Sequence, residues 1–475
     1  MTRSQRRTDE PAAGAYSVAF TEAGEVTVRG PGVERCTDVR MTVDDQGISL
    51  AFGRLLPRNL ADLLDIAVAA YVADRLCVRR TRTAAPSQAD ELWQRHMTIR
   101  LPLRDPDAWS PELRRRVEAL LAFLTDDVWS LEFTKERAKL RISETQGSLF
   151  SDIPTGDVTS SLLSGGLDSL VGLTNELVLY PERTVVAFSA RTNRRIGKYQ
   201  RQQVEALRSH FGTRLRHIQV AITLKDRSHG AYDREEPSQR TRGFVFQVFG
   251  AVTAAVAEIQ RLHVYENGVG ALNLPYSAAQ LGAQATRATN PITVDRASDL
   301  LSAVTGQPFC ISLPHQFDTK AEMCSILRDP RFRALIPMTI SCDNFPQRLA
   351  SRPQCGVCPS CLFSRQSLFS AGLRDADPSG RFRHDVYALD ASSPDRSYHL
   401  RVMTSQAGMF STLVDEAVPW LALVRRFPIL HDIARSHILR NRVDPSSDIV
   451  ALLKRYSNEW LAFWYAINRS SPASA

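Results

Sequence analysis

The spacing of apolar residues changes several times along this chain. From Tyr16 to about Phe52 they alternate with polar ones, as in Tyr16–Phe20 and Glu25–Val28, and Gly24, Gly30, Pro31 and Gly32 interrupt the pattern. A period of two broken by glycine and proline predicts short strands. From Leu60 to Leu76 the spacing turns helical, with Asn59 as the expected N-cap. Strands are predicted over Met97–Leu103 and Ser130–Ile142, with a helix over Pro111–Leu124 between them. Residues 15–150 therefore read as an α+β N-terminal domain behind a loose polar tail at 1–14.

Beyond residue 151 apolar runs and helical stretches take turns. Strands are predicted at Asp157–Leu163, Thr184–Ala190, Leu215–Ile222 and Leu262–Glu266, and helices at Leu167–Leu179, Tyr199–Phe211 and Gly243–Gln260. This alternation predicts an α/β domain over 151–375 with a doubly wound parallel sheet. Ligands of such sheets bind at the carboxyl ends of the strands. Residues 300–375 are rich in turns, and 376–475 read as a helical C-terminal region with apolar stretches at Ala417–Val424 and Ile449–Ile467. Trp420, Trp460 and Trp464 there read as core residues.

Composition narrows the class. With 475 residues, 43% of them apolar, the chain can bury a large core, which excludes a small disulfide scaffold, a collagen, a coiled coil and a disordered protein. No apolar run reaches the ~18–20 residues of a membrane span. The N-terminus carries Arg3, Arg6 and Arg7 without an apolar stretch, so no secretory signal is expected and the expected location is the cytoplasm. The net charge is +8, yet only six of the 59 basic residues are lysine. Arginine-biased codon usage and a phosphate-handling surface both account for that, and the arginines are scattered instead of forming a nucleic-acid-binding block.

The eight cysteines are Cys36, Cys77, Cys310, Cys324, Cys342, Cys355, Cys358 and Cys361. A cytosolic chain does not use such a cluster as disulfides. Cys355-Gly-Val-Cys358-Pro-Ser-Cys361 with Cys342 upstream offers four thiolates, the donor set of a closed tetrahedral zinc site. Cys310 and Cys324 are possible stand-ins for Cys342. An iron–sulfur cluster of ferredoxin type would add a fourth cysteine after Cys361, where Leu362-Phe-Ser-Arg365 stands instead.

The main chemical signal is Ser164-Gly-Gly-Leu-Asp-Ser169, directly after one predicted strand and before a helix. Gly165 and Gly166 let the backbone turn sharply near an anion, and the first N–H groups of the helix point at it. Ser164 and Ser169 add hydroxyls, and Asp168 calls for Mg²⁺ or a loop N–H as partner. The Walker A lysine and spacing are missing.

Leu163 to Ser169 resembles the signature of the PP-loop ATP pyrophosphatases, which cleave ATP between the α and β phosphates. The loop and the cysteines in this order resemble the 7-cyano-7-deazaguanine synthase (QueC) family. Its Ser-Cys, then Cys-Gly-x-Cys-x-x-Cys-x-x-x-Arg pattern is matched by Ser341-Cys342 and Cys355 to Arg365. Thr319-Lys320-Ala321-Glu322 and Arg242-Gly-Phe-Val-Phe246 match further segments. The resemblance spans about 158–370. It implies ATP with Mg²⁺ at Leu163–Ser169, structural Zn²⁺ on Cys342, Cys355, Cys358 and Cys361, and Asp168, Lys320 and Arg242 as catalytic residues. It implies an ATP-dependent carbon–nitrogen ligase that adenylates 7-carboxy-7-deazaguanine.

The chain is about twice the length of QueC. In that it is similar to the long QueC-like proteins of anti-phage defence systems, Qat and type IV CBASS. The implied acceptor is then an amine of a partner protein from the same operon, recognised by 15–150 and 376–475. The alternatives are nitrile synthesis with ammonia, a PP-loop tRNA-modifying enzyme, and a nucleotide-binding module without turnover. Nucleic acid is not the expected substrate.

Overall fold

A computed structural model describes residues 15–30, 39–79, 94–135, 140–148, 152–191, 194–226, 236, 238–276, 287–345, 351–388, 394–439 and 442–470. The expected tail at 1–14 and Cys36 lie outside these residues.

The N-terminal part contains β1 (Ala15–Phe20), β2 (Glu25–Arg29), β3 (Val39–Asp44), α1 (Arg58–Leu76), β4 (His96–Pro102), α2 (Pro111–Thr125) and β5 (Val128–Thr134). It is followed by β6 (Val158–Leu162), α3 (Leu167–Leu179), β7 (Thr184–Arg191), α4 (Arg194–Phe211), β8 (Leu215–Asp226) and α5 (Arg242–Val256). Then come β9 (Arg261–His263), α6 (Gly268–Leu272), α7 (Pro291–Thr305), β10 (Cys310–Ser312), α8 (Lys320–Cys324) and α9 (Pro359–Ser370). The C-terminal region is α10 (Pro394–Val414), α11 (Pro419–Arg426) and α12 (Pro445–Ser470), with short turns between.

All ten strands form one mixed sheet in the order β10-β9-β6-β7-β8-β3-β2-β1-β4-β5. The five from β10 to β8 run parallel, as do β1, β4 and β5. The antiparallel pairs β8-β3, β3-β2 and β2-β1 join the two parallel blocks. The sheet therefore crosses the boundary expected near residue 150 without a break.

Helices cover both faces of the parallel block. On β7, Val185 and Ala187 belong to the core shared with α3 and α4, and Val186, Phe188 and Ala190 to the core shared with α1, α5 and α7. A strand apolar on both sides is what a doubly covered parallel sheet requires. Helix α5 seats closely on β6 because Gly250 has no side chain; a Cβ there would lie 2.5 Å from Leu162 Cδ2.

From β6 the chain moves to β7 and β8 on one side, then returns to β9 and β10 on the other. The order reverses beside the carboxyl end of β6, the usual ligand crevice of open α/β sheets.

Some predicted boundaries differ from the observed ones. Asn59 is not an N-cap: α1 starts at Arg58 behind Pro57, and Asn59 Nδ2 donates to Val304 O at 2.7 Å, tying the helix to α7. The strand predicted over Ser130–Ile142 ends at Thr134. Ile142 instead begins a helical turn, because the Arg141 N–H donates to Glu144 Oε2 and closes a capping box. Strand β9 stops at His263, before the expected Glu266, and β10 has no counterpart among the predicted strands.

The C-terminal helices pack around Trp460, which is fully buried, with Trp420 and Trp464 half-buried against the same cluster. Among the described residues no helix is long and apolar enough to cross a membrane.

Candidate functional site: a charged crevice beside a cysteine cluster

The loop after β6 is held from below and open above. The Leu163 N–H donates to Phe188 O at 2.8 Å and continues the strand for one more bond. Gly165 then takes φ +92°, a region glycine enters without a Cβ clash. The Ser164 and Ser169 hydroxyls lie 3.0 Å apart, and Ser169 Oγ accepts the Ser164 N–H at 3.2 Å. The loop carbonyls are also tied down. Gln200 Nε2 donates to Ser164 O (3.1 Å), and Gln203 Nε2 and the Ile340 N–H both donate to Gly165 O (2.9 Å each). Leu163 and Leu167 are buried anchors, and of the loop it is Ser164, Gly166 and Asp168 that line a cavity of about 470 Å³. That volume suits a small-molecule site.

The same cavity gathers Lys320 and Arg242, the two basic residues singled out in the sequence. Lys320 opens α8, where Thr319 and Glu322 form a reciprocal capping box. Its Nζ lies 2.6 Å from Asp168 Oδ2 and 5.2 Å from the centre of the Phe363 ring. Burial alone would lower the pKa of Lys320, but Asp168 and then Glu266 outweigh it and push the ammonium up. Arg242 opens α5, is exposed, and forms no ion pair among the described residues.

Residues not anticipated from the sequence complete the cluster. Asn267 Nδ2 donates to Asp168 Oδ1 (2.9 Å) and to Glu266 Oε1 (3.0 Å). Its own Oδ1 accepts the Gly270 N–H at 2.9 Å, which caps α6 and fixes the amide's orientation. Glu266 lines the cavity, and burial with the charge of Asp168 pushes its carboxyl up to about 8. Gly270 makes room for it, since a Cβ there would meet Glu266 Oε1 at 2.2 Å. Ser341 Oγ accepts the Leu167 N–H at 3.3 Å, joining the loop to the segment that carries Cys342.

Cys342, Cys355, Cys358 and Cys361 are buried, with their four sulfurs all within 4.8 Å of one another. Cys355 and Cys361 Sγ are 4.0 Å apart, close to the edge of a thiolate tetrahedron with ~2.3 Å metal–sulfur bonds. The Cys355 N–H donates to Cys342 Sγ and the Cys358 N–H to Cys355 Sγ, both at 3.3 Å. Such bonds favour the thiolate form that a metal needs. The group fits a structural metal ion such as zinc. Gly356, at φ +85°, lies against His384 O, where a Cβ would approach to 2.0 Å. Cys310, on β10, and Cys324, at the end of α8, are not in this group; Cys342 is the distal member. The cluster sits at the N-terminus of α9, the helix that carries Phe363 to Lys320.

Helix α12 braces the same place. Thr319 Oγ1 donates to Glu459 Oε1 at 2.7 Å, and Arg455 pairs with Glu322 at 2.8 Å. Gln406, Phe410 and Leu453 of the C-terminal helices line the cavity directly. No family model matches the chain, and no curated protein matches its sequence.

Proposed function

We propose that the chain is a QueC-like PP-loop enzyme, an ATP-dependent carbon–nitrogen ligase that adenylates the carboxylate of 7-carboxy-7-deazaguanine and releases pyrophosphate. The observation that carries this reading is the convergence of the loop Ser164–Ser169, Lys320 and Arg242 on one cavity at the order reversal of the parallel sheet. A PP-loop assignment of the doubly covered sheet rests on that loop and on its place in the strand order.

The residues divide the work by charge. The start of α3 offers its N–H dipoles to phosphate oxygens. Lys320 and Arg242 supply the positive charge that a pentavalent α-phosphorus needs as the carboxylate oxygen attacks and the bond to the β-phosphate oxygen breaks. Asp168 and Asn267 hold Lys320 in place before the nucleotide enters. Burial and the charge of Asp168 push the Glu266 carboxyl up to about 8, which favours its neutral form beside incoming phosphates.

No resident Mg²⁺ is assigned to Asp168, because its two oxygens are already taken by Lys320 and Asn267. Mg²⁺ belongs to this reading as the counter-ion of ATP. Zinc on the four cysteines would be structural, holding the start of α9 and thereby Phe363.

The acyl adenylate is then open to an amine, which displaces AMP and forms an amide. The acceptor in this reading is an amine of a partner protein in an anti-phage system, with ammonia as the alternative. Intact-mass measurement after incubation with ATP, 7-carboxy-7-deazaguanine and the neighbouring gene products separates the two.

Pyrophosphate release tests the core of the proposal. The wild-type chain is expected to release it only when ATP and 7-carboxy-7-deazaguanine are both present, and Asp168→Ala to release none. Equal signals from the two chains would favour a binding module without turnover. Iron in place of zinc in the purified chain would favour the tRNA-modifying class.

A further inference from the structure

The cavity's second wall comes from the C-terminal helices, outside the stretch that resembles QueC. Gln406 on α10 is 97% buried, with 3% of its surface exposed, and lines the cavity with Phe410 and with Leu453 of α12. Its Nε2 donates to Leu274 O and Pro275 O, both at 3.1 Å. Both amide hydrogens are thereby committed, so the orientation of the amide is fixed. Its Oε1 has no hydrogen-bond partner among the described residues, and it belongs to a residue on the cavity surface. That oxygen keeps its acceptor capacity, so a donor on a ligand in the cavity can meet it.

The other residues of the cavity narrow what the donor belongs to. Tyr276, Phe363, Phe410 and Leu453 line the same cavity. Such surroundings suit a flat heteroaromatic ring that presents an N–H edge. Ala190 of β7 and Ile196 of α4 also line the cavity.

We infer that Gln406 is the specificity residue for the acyl substrate: its Oε1 accepts a ring or exocyclic N–H of a planar heteroaromatic carboxylate held against Phe363 and Phe410. The C-terminal helices are then part of the substrate site. This assignment rests on the adenylation reading, because that reading supplies the carboxylate and directs it towards Lys320.

The test is calorimetric titration of the full chain with 7-carboxy-7-deazaguanine and two analogues, one N1-methylated and one lacking the 2-amino group. ATP is titrated separately. The wild type is expected to bind one of the two analogues about tenfold or more weakly than the parent compound. Gln406→Leu is expected to bind parent and analogues within about threefold of one another, with ATP affinity unchanged. Because Gln406 also anchors residues 274–275, the analogue series on the unaltered chain provides a result that does not depend on the variant's folding. A wild-type chain that forms pyrophosphate yet binds the parent and both analogues equally overturns the role of Gln406 and leaves the adenylation reading standing. Loss of ATP affinity in Gln406→Leu, with analogue discrimination intact, also overturns it. A chain that binds ATP but not the parent compound overturns both.

Discussion

Two regions of this molecule bury charge, and they do so differently. Behind the N-terminal strands, Arg95 lies 2.6 Å from Asp74 and 2.5 Å from Asp127, and Arg79 lies 2.6 Å from the same Asp127 and 3.3 Å from Glu236. Thr241 donates to the other oxygen of Asp74. Although burial raises them, Asp74 and Glu236 end up with lowered pKa values, because Arg95 and Arg79 respectively stand against them. None of these residues lines the charged crevice. At the loop after β6 the same ingredients are left unbalanced. Asp168 is met by Lys320, but Glu266 is pushed up to about 8 and Arg242 has no ion pair among the described residues. Here the charges face a cavity. Charges that meet one another in the core hold structure together, whereas charges left facing a cavity leave interaction energy for a ligand.

The first way to break that comparison is Arg95→Leu, which takes the arginine partner from Asp74 and leaves Asp127 with Arg79 alone, deep in the core. It is expected to cost about 3–5 kcal/mol of stability in urea unfolding. Material that folds should keep its pyrophosphate release per folded molecule.

Lys320→Met should behave in the opposite way. Pyrophosphate release is expected to fall about 10²–10³-fold, while stability falls by less than in Arg95→Leu, because Asp168 keeps Asn267 and lines the cavity. A stability loss equal to that of Arg95→Leu, with activity retained, would make both clusters structural.

Cys361→Ser sharpens the comparison from the metal side. Bound zinc should drop from one per chain, and activity by about 10–100-fold, as α9 loosens its hold on Phe363 and Lys320.

The smallest effect is a pH dependence. The folded pKa of Glu266 is raised above its ordinary 4.5, so the neutral form and its contribution to stability are present at low pH and are lost as pH rises through about 8. The new carboxylate then faces the proposed phosphate site. ATP affinity should weaken by at most about tenfold between about pH 7 and 9, and Glu266→Gln should abolish that step.

What could be read from the sequence followed the distance over which each feature is encoded. The loop Ser164–Ser169 and the spacing from Cys355 to Cys361 are contiguous, so one strand–turn–helix or one knuckle writes them completely. Lys320 was visible only through the match of Thr319–Glu322 to a segment of the family it resembles. Glu266 and Asn267 were not, because only the pairing of β9 beside β6 brings them to Asp168. Gln406 reaches the cavity through helix packing from residues more than 200 positions away along the chain from the loop. The joining of the N-terminal strands to β8 was hidden for the same reason. Alternation marks a strand, but its partner is chosen by long-range register such as Thr42 against Thr223.

In the proposed reaction the unbalanced cluster drives attack of a carboxylate on the α-phosphorus of ATP. Its most direct test uses 7-carboxy-7-deazaguanine labelled with heavy oxygen in the carboxylate, with ATP and an amine acceptor, and mass analysis of the products. One labelled oxygen is expected in AMP for each amide formed, with pyrophosphate unlabelled. Label found in inorganic phosphate, or an amide formed with no label in AMP, would contradict it.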